Sequence, residues 1–361
     1  RPLSATLNVS RNTVKAAYEI LQAEGYIETR QGSGSFVSGQ VPDQSTSKDA
    51  AAPASSYVSN KMPRLSAMAQ RIQQFQSPHM STTGTLLAPT QCCLESFPWL
   101  QWQKQVTSAA RQMKFHSTNS TLGDETLRQQ IASYLQLTRG VNCQAEQIMI
   151  CSGSQQALYL SFQLLVDADE TIWLEDPSYH GISGAIASAN AQIFPVPSDA
   201  NGFNLNYALT HSPNAKATVV TPSHNYPMGY TLSLERRLAL IDWAKQNTTW
   251  IIEDDYDSEF RYDGPPLTAL QGLGGEDCVI YTGTFTRILH PSIRLGYLVI
   301  PPALVEPFTK ARAYIDGGIT QLPQLALGEF MASGQFASHV RRMRKLYQHR
   351  PLVATNVLFF L

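Results

Sequence analysis

The chain has 361 residues, 43% of them hydrophobic, with 27 basic and 28 acidic side chains and a formal net charge of −1. That is material for two or three domains with a sizeable core, and it excludes a general basic footprint, so any nucleic-acid contact must be local. Five cysteines without C-x-x-C spacing exclude a disulfide frame and a zinc site and point to reduced thiols in a cytoplasmic protein, while no apolar run nears the roughly 18 residues of a membrane span.

Residues 1–39 read as one unit. Ser10 can cap a helix from Arg11 to about residue 24, with Gly25 as its stop. Val14, Ala17, Tyr18 and Leu21 fall at i, i+3, i+4 and i+7, one apolar stripe. A shorter helix over residues 3–7 precedes it and turns at Asn8-Val9. Short strands at 26–29 and 35–37 flank Gln31-Gly-Ser-Gly34, whose glycines tolerate positive φ. Helix, turn, helix and a two-stranded wing make a winged helix-turn-helix. Four basic side chains (Arg1, Arg11, Lys15, Arg30) stand against three acidic ones (Glu19, Glu24, Glu28), gathered at the helix start and the wing. A recognition helix reads bases from its N-terminal residues, so Arg11, Asn12 and Thr13 are candidates for base contact. Lys15, Arg30, Ser33 and Ser35 are candidates for phosphate contact. The plainer alternative is a helical hairpin that serves packing alone.

Residues 40–64 carry Pro42, Pro53 and Pro63 among Ser, Thr and Ala, the composition of a flexible, disordered linker. From 65 to 361 helix and strand alternate. The pattern predicts helices at 127–137, 154–165 and 233–246, the last capped by Ser233. It predicts strands at 147–151, 171–174, 217–221, 249–253, 279–281 and 298–300. An α/β domain with a mostly parallel sheet follows, with its ligand groups on loops at the strand ends.

The chemistry concentrates in a few segments. In Ile251-Ile-Glu-Asp-Asp-Tyr-Asp-Ser-Glu-Phe-Arg-Tyr262, Asp254, Asp255 and Asp257 follow the predicted strand; alone they would also suit a surface acidic loop. About thirty residues later comes Tyr281-Thr-Gly-Thr-Phe-Thr-Arg-Ile-Leu-His-Pro-Ser-Ile-Arg-Leu-Gly-Tyr297. Cys151-Ser-Gly-Ser-Gln-Gln156 opens a helix after a strand, so its N–H groups face outward at a positive dipole end, as an anion cup or as a plain connection. Glu175-Asp-Pro-Ser-Tyr-His180 and Thr221-Pro-Ser-His-Asn-Tyr-Pro-Met-Gly229 are turn-rich loops, and Tyr179 could equally be a core aromatic.

The wording Val9-Ser-Arg-Asn-Thr-Val14, Leu21-Gln-Ala-Glu-Gly-Tyr26 and Gly32-Ser-Gly-Ser-Phe-Val37 closely resembles the GntR family of bacterial repressors, with the first helix of that domain missing. The 251–262 and 281–297 segments resemble the cofactor floor of a fold-type I, pyridoxal-phosphate (PLP) dependent aminotransferase. With the 221–229 loop and Ser233-Leu-Glu-Arg-Arg237 added, nearly the whole chain outside the linker is similar to the MocR subfamily of GntR regulators, winged helices fused to an aminotransferase-like domain. The resemblance implies that Asp254 meets the pyridine nitrogen and Tyr256 the ring hydroxyl. It implies that Tyr179 stacks on the ring beside Asn225, and that Ser154, Gln155, Thr284, Thr286 and Arg294 hold the phosphate.

Three departures qualify that picture. The family's Schiff-base Lys reads Arg287, and a guanidinium that stays protonated is a poor nucleophile. Thr118 stands where a Tyr usually reaches the partner's phosphate. The chain starts at Arg1 without a Met and stops at Leu361, as a fragment lacking the C-terminal subdomain does. The reading is therefore a transcriptional regulator that binds double-stranded operator DNA as a homodimer. Its second domain binds PLP non-covalently or has lost it, and a small-molecule effector can share that pocket. The rivals are a true PLP-dependent aminotransferase, against which Arg287 argues, and a purely structural dimerisation module.

Overall fold

The computed structural model describes residues 2–30, 32–39, 64–75, 92–115, 120–262 and 264–358. The chain divides into two compact units, Arg1–Pro63 and Arg64–Leu361. Apart from Arg64, the sequence-predicted linker lies outside the described residues, as do Arg1, Gln31, Thr118 and Leu361.

The first unit contains α1 (Pro2–Thr6), α2 (Arg11–Ala23), β1 (Ile27–Arg30) and β2 (Gly34–Val37). The Ser10 hydroxyl accepts the Thr13 N–H at 3.1 Å and caps α2. At the other end Gly25, at φ +80°, lets the Tyr26 N–H reach Leu21 O (2.9 Å) and its own N–H reach Gln22 O (3.1 Å), the paired bonds of a glycine C-cap. β1 and β2 pair antiparallel, with Ile27 opposite Val37 and Arg30 opposite Gly34. None of the described residues of this unit is buried, and the stripe of Ala17, Tyr18 and Leu21 is exposed. Caps and the two-stranded ladder, rather than burial, define its elements.

The second unit begins with α3 (Ala67–Ile72), α4 (Trp99–Gln112) and α5 (Glu125–Arg139). Strands and helices then alternate: β3 (Ile148–Cys151), α6 (Ser154–Leu165), β4 (Thr171–Asp176), α7 (His180–Ser188), β5 (Gln192–Asp199), β6 (Gly202–Phe203), α8 (Leu205–His211), β7 (Ala215–Val220), α9 (Leu234–Asn247), β8 (Trp250–Asp255), β9 (Val279–Thr284) and β10 (Gly296–Val299). After β10 come α10 (Pro302–Ile315), α11 (Gln321–Ala332) and α12 (Gln335–Leu358). The sheet order is β3-β10-β9-β8-β7-β4-β5-β6. The run from β5 through β4, β7 and β8 to β9 is parallel; β10 is antiparallel to both β9 and β3, and β6 to β5. The mostly parallel sheet thus has antiparallel pairings towards both margins. Sequence pattern left α4, α7, α8, β5, β6 and α10–α12 unread. It also ended three strands early: β4 runs through Asp176, β8 through Asp255 and β9 through Thr284.

Side-chain alternation along the strands sorts the core into two layers. Ile148, Ile150, Tyr281, Tyr297 and Val299 pack against α5, α11 and α12 through Leu127, Ile131, Leu327, Phe330 and Phe336. Met149, Cys151, Ile280 and Leu298 face the opposite way, against α6, α7 and α10 through Leu158, Phe162, Ile182 and Phe308. Further along the first face, Trp173, Val220 and Ile251 pack on α8 and α9, with Trp173 and Trp243 stacked at 4.2 Å.

One ion pair pins the sheet to α5. Arg139, the last residue of α5, places Nε 2.8 Å from Asp255 Oδ2, with both side chains 3% exposed. Asp255 also accepts from Ser258 Oγ (2.8 Å) and Tyr281 Oη (2.5 Å), while Arg139 donates to Leu267 O and to Ser223 Oγ (2.6 Å). Arg139→Met would leave the Asp255 carboxylate buried without its counter-charge, a loss of about 3–5 kcal/mol. The expected result is a lowered urea midpoint for the second unit's transition; an unchanged midpoint would show that the pair is not needed for stability.

Candidate functional site

The site gathers at the carboxyl ends of the parallel strands. From the neighbouring strands β4 and β7 the chain leaves in opposite directions, β4 through α7 to β5 and β7 through α9 to β8, which opens a crevice between them. Tyr179 follows β4 and Asn225 follows β7. Glu175, at the end of β4, accepts the Thr221 N–H (2.9 Å) and hydroxyl (2.5 Å), locking the two loops together across the crevice. Burial raises the Glu175 carboxyl, and these donors oppose the rise.

Asp254 is the penultimate residue of β8, so the pleat turns it away from the face that Glu253 and Asp255 share. Glu253 accepts the N–H groups of Leu270 (3.1 Å) and Gln271 (3.2 Å). The buried Asp254 has no such relief. Its Oδ1 lacks a hydrogen-bond partner among the described residues. Burial, then the negative Asp255, push its carboxyl up to about 7, with Arg287 pulling the other way.

Around it stands an aromatic wall. Tyr179 and Tyr226 meet edge to face at 6.0 Å, and Tyr226 and Tyr256 at 6.1 Å. Tyr256 stacks on His224 at 6.0 Å, its hydroxyl 3.3 Å from Nδ1. That nitrogen lies 2.8 Å from Asp257 Oδ2, and this bond raises the His224 pKa above its ordinary value despite burial. Burial, then Asp257, raise the Tyr256 phenol. Arg287 lies over the Tyr256 ring, Cζ 5.4 Å from the centroid. Asn225 is 1% exposed, and its Oδ1 is buried without a partner.

A second group forms at the start of α6. Gly153 takes φ +82° ahead of Ser154, and the Ser152 N–H is bound by Gln156 Oε1 at 2.7 Å. Gln155 Nε2 donates to Gly181 O at 2.8 Å, while its Oε1 is buried without a partner. A Cβ at Gly181 would lie 2.3 Å from both that oxygen and the Tyr179 ring, so only glycine lets the two side chains close here. Thr284 Oγ1 accepts the Thr286 N–H at 3.2 Å at the end of β9. Arg294, at φ +52° and exposed, lines a cleft of about 690 Å³ with Ser152, Gln155, His180 and Asp316. Asp254, Tyr256 and Arg287 lie outside that cleft, in the adjoining aromatic group. The Tyr179 ring closes with Gln155 Oε1 around Gly181 and also meets Tyr226, so it joins the two groups.

The structure therefore brings Tyr179, Asn225, Asp254, Tyr256 and Arg287 together, and Ser154, Gln155 and Arg294 beside them. Sequence reasoning missed Tyr226 and the His224–Asp257 pair. Both lie in quoted segments, and the alternation of polar and aromatic residues in 221–229 was the available signal. It also missed that Asp255, adjacent to Asp254, is spent on Arg139.

In the first unit, Arg11, Asn12, Thr13 and Lys15 are exposed along the start of α2. The Thr13 hydroxyl lies 2.8 Å from that of Ser10, and Lys15 makes an exposed ion pair with Glu19 at 3.6 Å. Arg30 lies over Phe36 at 5.3 Å across the wing, with Ser33 and Ser35 exposed. Among the described residues no His/Cys/Asp/Glu group could hold a metal ion, and no helix is long and apolar enough to cross a membrane.

Asp254 yields a pH prediction. Folding raises its carboxyl from 3.8 to about 7, so between those values the folded chain keeps a proton that the unfolded chain loses. Stability attributable to this group falls as pH rises from about 4 to about 7, then stays low. Asp254→Asn removes that penalty and should stabilise the protein on the order of 2–4 kcal/mol at pH 8 but little at pH 4. Urea midpoints at the two pH values check it; an equal effect at both would exclude the carboxyl's charge as the cause.

Comparison with known proteins places both units. Residues 1–37 match the family described as bacterial regulatory proteins, gntR family, and residues 84–358 match aminotransferase class I and II. The chain is 36% identical over 355 residues to the probable rhizopine catabolism regulatory protein MocR of Rhizobium meliloti, covering 98% of this chain and 70% of that protein. It is 32% identical over 358 residues to the HTH-type pyridoxine biosynthesis transcriptional regulator PdxR of Corynebacterium glutamicum, covering 99% and 73%. Among solved structures, a kynurenine aminotransferase of Pyrococcus horikoshii matches with TM-score 0.69 at 25% identity, covering 81% of this chain and 74% of that one. The α-aminoadipate aminotransferase LysN of Thermus thermophilus matches with TM-score 0.73 at 24% identity, covering 81% and 76%, and shows the shared fold. The chain belongs to the MocR subfamily of GntR-type transcriptional regulators, in which a DNA-binding winged helix-turn-helix is joined to a fold-type I aminotransferase-like domain.

Proposed function

We propose that the aminotransferase-like domain of this regulator is a non-covalent receptor for PLP or a derivative of it, not a transaminase, and that the protein acts on operator DNA as a cytoplasmic homodimer. The observation that carries this reading is Arg287, a permanent cation where the family's Schiff-base Lys would stand. A buried Asp254 oxygen without a partner, beside Tyr179 and Tyr256, suits a protonated pyridine ring. When bound, PLP supplies an electrophilic carbonyl on an electron-withdrawing ring.

The residues divide the work. Asp254 holds the proton on the ring nitrogen, and Tyr256 and Asn225 hold the ring oxygen. Tyr179 covers the ring face. Ser154, Gln155, Thr284, Thr286 and Arg294 bind the phosphate at the positive end of α6. Arg287 binds by charge and donates hydrogen bonds, but it offers no neutral amine for covalent capture. A small-molecule effector entering the same pocket alters the dimer, and the dimer's two-fold symmetry matches a repeated operator. In the winged helix, Arg11, Asn12 and Thr13 read bases, while Lys15, Arg30, Ser33 and Ser35 contact phosphates.

Two experiments test this. In salt-controlled gel shifts with the full-length protein, Arg11→Ala should weaken operator binding by about 1–3 kcal/mol and relax base preference, whereas Lys15→Ala should weaken all sequences alike and lower the salt slope. Sedimentation of the complex should give two chains per operator. Equal affinity of the unmutated protein for operator and random DNA, or one chain per operator, would overturn the corresponding part.

The second experiment concerns residue 287. The unmutated protein with PLP should bind reversibly and yield no borohydride-fixed label at that position. Arg287→Lys should gain such a label on the peptide containing residue 287, because burial at this position opposes the charged form and so favours a neutral Lys amine. A folded Lys variant that stays unlabelled would remove the PLP pocket from this reading and leave the DNA-binding part standing.

A further inference from the structure

Arg287 differs from the other enclosed arginines of this domain. Arg128 donates to Gly123 O and Ala145 O, Arg237 to three carbonyls, and Arg312 to Asp316 and Ile150 O. Arg139 has Asp255. Each of those guanidiniums is tied to the fold by carbonyl oxygens or a carboxylate, although Nη2 of Arg312 lacks a partner among the described residues. Arg287 is half-buried, yet no hydrogen bond or ion pair holds it among the described residues; its one close partner is the face of Tyr256 at 5.4 Å. Tyr179, Tyr226 and Asp257 lie within electrostatic range and favour its charge, while burial opposes it. A guanidinium carries five donors in a fixed fork that matches a carboxylate, and in a protein it does not give up its proton. The side chain is thus a cation with unspent donors, set in an aromatic box beside Asp254.

Resting on the PLP-pocket reading above, we infer that Arg287 makes this pocket select its ligand by the charge opposite the guanidinium. A pyridine phosphate bearing an aldehyde or a carboxylate at its 4-position is accepted, and one bearing an ammonium is rejected. A Lys at this position can become neutral and so admit an amine; Arg has no neutral state to offer. A carboxylate receives two parallel N–H bonds from the fork, and an aldehyde oxygen receives one. An ammonium meets a like charge in a partly dry site and competes with Arg287 for the Tyr256 face. The regulator then reports the aldehyde and acid forms of such a ligand, not the total pool.

The test is calorimetric titration of the full-length protein with four probes of one ring and one phosphate: pyridoxal, pyridoxamine and pyridoxine 5′-phosphates and 4-pyridoxic acid 5′-phosphate. At fixed pH and salt, the acid and aldehyde should bind roughly tenfold or more tighter than the amine, with the alcohol between, tenfold being about 1.4 kcal/mol. Arg287→Gln keeps one N–H2 donor group but loses the charge and the fork, and should compress the acid-to-amine ratio to below about threefold. Arg287→Lys serves as a second variant and should keep the preference for the acid while recovering part of the amine affinity. If the unmutated, folded protein binds the amine as tightly as the acid, this inference is wrong and the pocket reading survives. If none of the four probes binds, the pocket reading fails and takes this inference with it.

Discussion

Strand β8 is the constraint on which the rest of the larger domain depends. It ends in three consecutive carboxylates, Glu253, Asp254 and Asp255, all buried. Three adjacent acids could not share one dry environment, and the pleat separates them. Glu253 and Asp255 share the α5 side, where backbone N–H groups, Arg139, Ser258 and Tyr281 answer them. Asp254 faces the crevice alone. The clamp on one face fixes the backbone that presents an uncompensated acid on the other.

That arrangement is electrostatically costly, and the cost is concentrated at the site. Burial pushes Glu253 and Asp254 up to about 7, and Arg287 only partly offsets the rise at Asp254. Asn225 and Gln155 add buried oxygens without partners in the same neighbourhood. Such groups are uncommon in interiors, and three of them gather at this crevice. The first unit is organised differently. Its helix is held by Ser10 at one end and the Gly25 turn at the other, and its polar face stays open to solvent. Local hydrogen bonding defines the reader of DNA, whereas long-range burial defines the pocket.

Much of the architecture was legible in the chain. Ser10 and Gly25 bound α2 because caps act within a few residues, and Ser233 starts α9 for the same reason. The apolar runs at 148–151, 251–252 and 279–280 identified strands covered on both faces, which are nearly all apolar whether inside the sheet or, as β3, at its edge. Strand ends were less legible. Asp254, Asp255 and Thr284 look like loop residues by composition, and only the neighbouring strands' ladder hydrogen bonds keep them in β8 and β9. Strand β5 buries only Val196 and helix α10 only Phe308 and Arg312, so neither carries a run of buried apolar residues that would mark it.

The sequence by itself determined the two families, the acidic and glycine–serine segments, and the presence of Arg at position 287. Those are properties of residue identity and short spacing. Only the tertiary structure decided which acid is free and which is spent: Asp255 and Arg139 are 116 positions apart and meet through the packing of α5 on the sheet. It likewise decided that His224 pairs with Asp257, that Tyr226 joins the wall, and that Arg287 rests on Tyr256 with its donors unspent. Pairings between distant segments depend on sheet order and pleat direction, which no local stretch of sequence encodes.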